Sequence, residues 1–379
     1  MDLSTETLIK KEFAHIDTLY FNTAYFGPSP YRAKQKVSNA LFKELDPSFF
    51  PYNTWMGIPD RIRTQIASLL GTKPHNIAHC TSTGDIINII ANGLKLKDDE
   101  VIVALNGDYP SDILPWMLAK ENYGHNFQLI DVQSYTVDAI MDALPENTKV
   151  FSFSHVAFDS GRKIDLLPLC SRLKEKGIFT IVDGTQSFGG MPILKEELEL
   201  IDVLSVSCYK WMLGPYGYSF GHFSDNAIDM IRHKNANWTT STNSKVVYNL
   251  LNYTTETLKG ARKYDRGQAP NMLTMACLEA SLELFHDIDL KTVATHNTKI
   301  RDYFLQRYPK DQFKLITPID QMGYIISLKA KGIDPVLLEA ELKHNNIDVS
   351  VREGNIRLSF HIFNTIDQVD TLIYALSSV

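Results

Sequence analysis

Between residues 76 and 206, short apolar runs of strand length alternate with stretches of helical periodicity, and this alternation limits the fold more than any other feature of the chain. Strands are expected at 76–79, 101–105, 127–132, 150–154, 178–182 and 203–206, with helices at 86–94, 112–121, 137–144 and 166–176. Apolar strands joined through helices bury both of their faces only in a parallel sheet covered on both sides. The chain therefore reads as α/β, with a mainly parallel, doubly wound sheet. After about residue 285 the spacing changes to a long helix (290–308), a strand (323–328), a helix (335–344), two short strands (347–351 and 355–360) and a final helix (366–376), which describes a small α+β unit. The expected division is a large domain over 18–284 and a small C-terminal domain over 285–379 that includes residues 1–17. Ahead of the alternating region stand a short strand ending in a Gly/Pro loop (19–30), a helix (31–45), a Pro/aromatic loop (46–57) and a helix (60–70). The aromatic loop fits either a plug on the core or the wall of a pocket.

At 379 residues the chain is long enough for two domains. Its net charge of −6 is spread along the sequence without a basic stripe, so nucleic acid is not an expected partner. The N-terminal segment is charged and no apolar run approaches spanning length, which leads to the expectation of a cytoplasmic protein with no membrane partner. Cys80, Cys170, Cys208 and Cys277 lie far apart with no C-x-x-C pair. They read as buried small hydrophobes rather than ligands or disulfide partners, and no metal is expected.

In a parallel sheet, ligands bind beyond the carboxyl ends of the strands. Asp183 stands at the end of one expected strand, and Lys210 stands just past the end of the next, in a Gly/Pro loop. Thr81-Ser-Thr-Gly-Asp85 opens a helix, where free N–H groups and hydroxyls suit a phosphate. Plain N-capping by Ser or Thr is the competing reading. Neither a G-x-G-x-x-G after a strand nor a G-x-x-x-x-G-K-[ST] is present, so no dinucleotide or nucleoside triphosphate is indicated. A compact phosphorylated aldehyde cofactor fits the phosphate turn, the strand-end acid and the lysine together. In Asn355-Ile-Arg-Leu-Ser-Phe-His361, Arg357, Ser359 and His361 share one face, and the apolar residues share the other. A guanidinium there matches a carboxylate with two hydrogen bonds, or else forms a salt bridge on an edge strand. Arg352 would serve a second acidic group on a substrate or simply sit in its loop.

The combination Val182-Asp-Gly-Thr-Gln186, Ser207-Cys-Tyr-Lys-Trp-Met-Leu-Gly-Pro-Tyr-Gly217 and Gly354-Asn-Ile-Arg-Leu-Ser-Phe-His-Ile-Phe-Asn364 resembles the class V aminotransferases of the pyridoxal-phosphate fold type I superfamily, in the isopenicillin N epimerase and cysteine desulfurase-like branch. The likeness runs from about Tyr20 to the C-terminus. It implies pyridoxal 5′-phosphate held through a Schiff base to Lys210, with Asp183 on the pyridine nitrogen and Gln186 on the phenolic oxygen. It further implies a phosphate seat from Thr83, Gly84, Ser207 and Tyr209, ring stacking by Tyr109, and Arg357 on the substrate carboxylate. Gln268, in Tyr264-Asp-Arg-Gly-Gln-Ala-Pro-Asn271, would reach the phosphate of a neighbouring subunit, which makes a homodimer with sites at its interface the expected assembly. The helix over 272–285 would help form that interface. Independently of the resemblance, the small and polar Asn22, Thr23 and Ala24 let the 19–30 loop approach a ligand, which makes Asn22 and Ala24 candidate substrate contacts.

Three departures narrow the chemistry. The loop 349–354 is short and lacks the cysteine that persulfide-forming desulfurases use, so that reaction is not expected. Tyr109 replaces their histidine, and Phe158 stands where relatives place an asparagine. The expected function is amino-group transfer between an amino acid and a keto acid. The alternatives are a lyase acting by β-elimination or an amino-acid epimerase, and, from another class, a cofactor-free scaffold, against which the lysine, acid and arginine together argue.

Overall fold

The computed structural model describes residues 2–378 apart from 47, 49–51, 133, 234, 246–249 and 268–270, with the backbone alone for 52–56 and 245. Its strands are β1 (Leu19–Tyr20), β2 (Ile77–Cys80), β3 (Val101–Leu105), β4 (Asn126–Ile130), β5 (Thr148–Ser154), β6 (Phe179–Asp183), β7 (Val203–Ser207), β8 (Ser219–Phe223), β9 (Phe313–Leu315), β10 (Ile325–Ala330), β11 (Ile347–Asp348), β12 (Ser350–Arg352) and β13 (Asn355–Ser359). The helices are α1 (Leu3–Glu12), α2 (Arg32–Leu45), α3 (Tyr52–Leu70), α4 (Thr83–Gly93), α5 (Pro110–Tyr123), α6 (Val137–Ala143), α7 (Leu166–Glu175), α8 (Lys195–Leu198), α9 (Asp225–Met230), α10 (Met272–Ile288), α11 (Leu290–Arg307), α12 (Pro335–His344) and α13 (Ile366–Ser377).

Seven strands form the main sheet in the order β2-β8-β7-β6-β5-β3-β4. It is parallel except at β8, which runs antiparallel to both β7 and β2. Successive side chains leave a strand on opposite faces, and each face here is covered. Val103, Phe151, Phe153, Val182, Leu204 and Val206 join α7 and α10 in one cluster, while Ile102, Ala104, Val150, Ile181 and Val203 join α4 and α5 in another. This two-sided burial explains the near-continuous apolar strands, and each such Val, Leu, Ile or Phe side chain contributes roughly 1.5–3 kcal/mol. The α/β reading of the sequence is what the chain adopts.

Two strands escaped that reading. β8 is fully buried, yet Ser219, Gly221 and His222 break its apolar run, and a β-carbon on Gly221 would lie 2.6 Å from the Phe223 ring. β9 has only three residues. The segment 46–57 is not a loop throughout, because α3 already begins at Tyr52 and carries Pro59 within it. Proline lacks an N–H but keeps its carbonyl, and that of Pro59 is a 2.9 Å partner of His79 Nε2. The aromatic side chains proposed as plug or wall, at positions 49, 50, 52 and 55, lie outside the described residues.

A second sheet, β12-β13-β10-β9, packs with α11, α12 and α13 around Ile326, Leu328, Ile356, Leu358, Phe360 and Leu372. The chain links the two sheets early. β1 pairs in parallel with β11, Phe21 enters this second cluster, and Asn22 bridges Ser359. In contrast, Ile9 of α1 and Phe13 just beyond it pack in the cluster of the main sheet. Among the described residues no helix is long and apolar enough to cross a membrane. Cys80, Cys170 and Cys208 are buried and Cys277 is half-buried, all as free thiols.

Candidate active site

A cavity of about 350 Å³ opens at the carboxyl ends of the main-sheet strands and is lined by Thr83, Gly84, Tyr109, Asp183, Gln186, Ser207, Tyr209 and Lys210, among others. These are eight residues singled out from the sequence, brought together from four separate segments.

The floor is a hydroxyl cluster at the start of α4. Ser82 caps the helix by accepting from the Asp85 N–H at 3.1 Å. Thr83 N–H donates to Ser207 Oγ at 3.2 Å, and Thr83 Oγ1 lies 3.1 Å from both Ser207 Oγ and Thr185 Oγ1. Thr185 Oγ1 also accepts from Ser207 N–H at 2.9 Å. Thr185 therefore ties the acid-bearing turn to the lysine-bearing strand, a role the sequence reading missed although the residue sat inside its motif. The N–H of Gly84 makes no hydrogen bond to a described residue. Hydroxyls and a free N–H at a helix N-terminus form a donor set of the kind a phosphate takes.

Beside this floor stand two carboxyls. Asp183, 7% exposed, accepts from the Thr185 N–H at 2.8 Å. Asp112, on the first turn of α5, is 1% exposed, and no N–H or hydroxyl donor of the described residues reaches either of its oxygens. Burial pushes both carboxyls up. Asp112 rises well above the ordinary range, because the negative charges of Asp183 and Asp108 add to its desolvation, while Thr185 and Lys210 hold Asp183 toward the ionised form. Of the pair, Asp112 is the carboxyl held toward its protonated form, and Asp183 the one held toward its ionised form. Its neighbour Asp108 is pushed up to about 6 by burial, against hydrogen bonds from Ser154 and the Tyr109 N–H.

Lys210 is 6% exposed, and burial pulls its amine down to about 8. Asp183 opposes that fall, while the positive charge of Arg357 adds to it. Its Nζ stands 5.2 Å from the Tyr109 ring centroid and 5.4 Å from that of Tyr209. Phe158 meets Tyr109 edge-on with ring centroids 5.3 Å apart, filling space where a polar side chain was expected in relatives. The lysine loop is pinned by backbone bonds, Leu213 N–H to the Lys210 carbonyl at 3.0 Å and Gly214 N–H to the Cys208 carbonyl at 2.9 Å. Leu213 takes a positive φ of 52°, and its carbonyl accepts from Ser281 Oγ at 2.6 Å.

The remaining expected residues sit around this centre. Gln186 Nε2 donates to the Ala24 carbonyl at 3.1 Å, and its Oε1 accepts from Trp211 Nε1 at 2.9 Å, which leaves one amide N–H uncommitted. Ala24 is buried, and its N–H donates to Ser359 Oγ at 2.8 Å. Asn22 spends its amide donors on Asp348 and the Val349 carbonyl, so its first duty is to hold β11 against the β1 segment. Arg357 lies outside the lining of the cavity and reaches its rim, with Nη1 donating to the carbonyl of Phe158 at 2.7 Å and Nε to Ser350 Oγ at 3.2 Å. Its Nη2 is buried without a partner among the described residues. The salt-bridged alternative for Arg357 has no counterpart among the described ion pairs. Gln268 falls outside the described residues.

Comparison with known proteins follows the same line. The family profile described as Aminotransferase class-V matches residues 54–372. Isopenicillin N epimerase of Streptomyces clavuligerus is 25% identical over 224 residues, covering 57% of this chain and 56% of the epimerase. The chain thus spans little more than half the length of that relative. Kynureninase of Deinococcus radiodurans is 22% identical over 322 residues, 80% of this chain and 75% of its own. Among solved structures, a cystine C-S lyase in complex with cysteine persulfide superposes with a TM-score of 0.88 at 16% identity, covering 97% of this chain and 99% of the lyase. A cysteine desulfurase from Thermococcus onnurineus NA1 superposes with a TM-score of 0.85 at 18% identity, covering 98% and 97%. At such identities the structures speak for the fold, and the profile, matching most of the chain, speaks for the family. The chain accordingly belongs to the class V aminotransferase family of pyridoxal-phosphate enzymes.

Proposed function

We propose that this enzyme transfers the amino group of an amino acid to a keto acid, with Lys210 as both the attachment point of pyridoxal phosphate and the base at Cα. The residues present fit the cofactor: hydroxyls of Thr83, Ser207 and Thr185 and the Gly84 N–H for its phosphate, Asp183 for its ring nitrogen, Tyr109 for the ring face and Gln186 for the phenolic oxygen. When bound, the cofactor supplies an aldehyde that captures the substrate amine and a protonated ring that draws electrons from Cα. Arg357 offers its unpartnered Nη2 to the substrate carboxylate. Lys210, brought down toward neutral pH by burial, takes the Cα proton, a step worth roughly 10²–10⁴ in rate.

The observation that carries the choice of reaction is the lining of the cavity: among the described residues it holds one amine, Lys210, and neither a histidine nor a cysteine. As the one amine of that lining, Lys210 would take the proton from Cα and deliver it along the same face to the carbon that carried the aldehyde, the relocation that amino-group transfer requires. Epimerisation calls for delivery to the opposite face, and desulfuration calls for a thiol. A lyase or epimerase is the second reading, favoured by relatives that are an epimerase and a kynureninase.

The test is to mix cofactor-loaded protein with a panel of amino acids, with and without keto acids, and to measure keto acid, ammonia, sulfide and optical purity. Keto acid formed only when an acceptor is supplied supports transfer. Ammonia or sulfide without an acceptor replaces that reading with a lyase, and racemised substrate replaces it with an epimerase.

The same reading includes a homodimer with sites at its interface. The packing of α10 tempers one part of it, because Leu278, Leu282, Leu284 and Phe285 are spent on the chain's own core. Light scattering on the purified protein decides the assembly.

A further inference from the structure

Arg357 does not stand alone at the rim of the cavity. β12 and β13 are antiparallel neighbours, with Ser350 opposite Arg357, Val351 opposite Ile356 and Arg352 opposite Asn355. Residues directly opposite in such a pair share a face, and so do residues two apart along a strand. Arg352, two residues on from Ser350, therefore leaves the hairpin on the same face as Arg357. It is the diagonal neighbour of Arg357, at a separation of about 7–8 Å between their backbones.

Among the described residues neither guanidinium has an acid of its own. No described carboxylate comes within ion-pair distance of Arg352 or Arg357, although nine other arginine contacts of that kind occur among the described residues. Arg357 is 2% exposed, and its Nη2 has no partner among the described residues. Asp159 acts on it from a distance without forming an ion pair. Arg352 is half-buried, donates once from Nη1 to the carbonyl of Val351 at 2.7 Å, and lies 5.8 Å from the ring centroid of Tyr25, in the loop whose Ala24 carbonyl receives Gln186. The positive charge of Arg352 presses on both Arg357 and Lys210. Two guanidinium groups on one face, with no carboxylate partner among the described residues, repel one another, and an anion between them relieves that repulsion.

From this placement we infer that the enzyme's substrate is a dicarboxylic amino acid, with its α-carboxylate on Arg357 and its side-chain carboxylate on Arg352, and that the paired keto acid is dicarboxylic as well. The inference rests on the reading of Arg357 as the α-carboxylate holder. It adds that Arg352 sets specificity by charge, the side-chain carboxylate of the substrate neutralising the second arginine.

The test uses cofactor-loaded protein and unreactive acids, measured by titration calorimetry: succinate against butyrate, and glutarate against valerate. A charge-assisted hydrogen bond at a partly buried site predicts that each dicarboxylate binds about tenfold more tightly than its partner. In R352Q that ratio falls to about one, and in R357Q both members of each pair bind more weakly. Equal binding of the paired acids by the unmodified protein overturns the inference and leaves the Arg357 reading in place, as does a preference that survives in R352Q. Failure of both acids to bind, or binding indifferent to R357Q, overturns the Arg357 reading and this inference with it.

Discussion

Gly27 lies directly against Lys210: its N–H donates to the carbonyl of Tyr209 at 2.8 Å, and a β-carbon on Gly27 would sit 1.9 Å from the Lys210 carbonyl oxygen. The N-terminal loop thus presses its backbone on the lysine loop, which is possible only where no side chain intervenes. Gly27→Ala is expected to destabilise the protein by about 1–3 kcal/mol through overpacking and to displace the lysine loop. Thermal unfolding and the efficiency of cofactor uptake measure the two effects. An alanine variant with both at the level of the unmodified protein would show that the contact is yielding rather than rigid.

The hydroxyl cluster makes a prediction about affinity. Ser207→Ala and Thr83→Val each remove a donor from the proposed phosphate seat and should weaken pyridoxal-phosphate binding by roughly ten- to a hundredfold. Thr185→Val breaks the link between Thr83 Oγ1 and Ser207 N–H, and its effect should not add independently to either. Equilibrium dialysis of the three single and two double variants gives the coupling. Strict additivity would mean that Thr185 acts alone.

Lys210 carries a pH signature. Its amine falls from the ordinary lysine range to about 8 in the folded chain, so the folded state binds fewer protons than the unfolded state between pH 8 and about 10.5. In cofactor-free protein the cost of the buried charge is fully present below pH 8 and is relieved as pH rises through that window. Lys210→Met should therefore stabilise the cofactor-free protein at pH 7 by an amount on the order of 1–3 kcal/mol, and the gain should shrink toward pH 10. Cofactor uptake by the unmodified chain should speed up about tenfold per pH unit below 8 and then level off, as the neutral amine saturates. Uptake still accelerating beyond pH 10 would contradict the buried, depressed amine.

Asp112 gives the opposite sign. Its carboxyl is raised well above the ordinary value by burial and by Asp183, so its stabilising protonated form is complete below about pH 4 and is lost as pH climbs through the folded value. Asp112→Asn keeps a donor toward Asp183 and removes the titration. The variant should gain on the unmodified protein by up to about 1.4 kcal/mol per pH unit above pH 4, until the native group ionises. Chemical unfolding at several pH values reads this directly, and parallel stability curves for the two proteins would refute it.

Arg357→Lys tests the clamp. A lysine keeps the charge but loses the planar fork, so KM should rise roughly ten- to a hundredfold while the absorption spectrum of the bound cofactor stays as it was. A KM within twofold of the unmodified enzyme would remove Arg357 from substrate binding.

The sequence by itself determined the α/β class, because short apolar runs buried on both faces and the helices between them are written locally, in runs such as Val101–Leu105 and Phe179–Asp183. It also placed Asp183, Lys210 and Thr83 at strand and helix ends, where a parallel sheet gathers ligands. It could not show β8, whose serine, glycine and histidine carry no strand signal until flanking strands bury them. Nor could it find α3 before its Pro59, since a proline inside a helix reads locally as a stop. The parts that only the tertiary structure decided all depend on contacts between distant segments. Asp112 meets Asp183 because α5 and β6 converge, Thr185 joins Thr83 and Ser207 across two strands, and Asn22 turns to β11. Arg352 and Arg357 come onto one face by the register of a hairpin, a pairing set by hydrogen bonds between strands and not by the spacing of five residues along the chain.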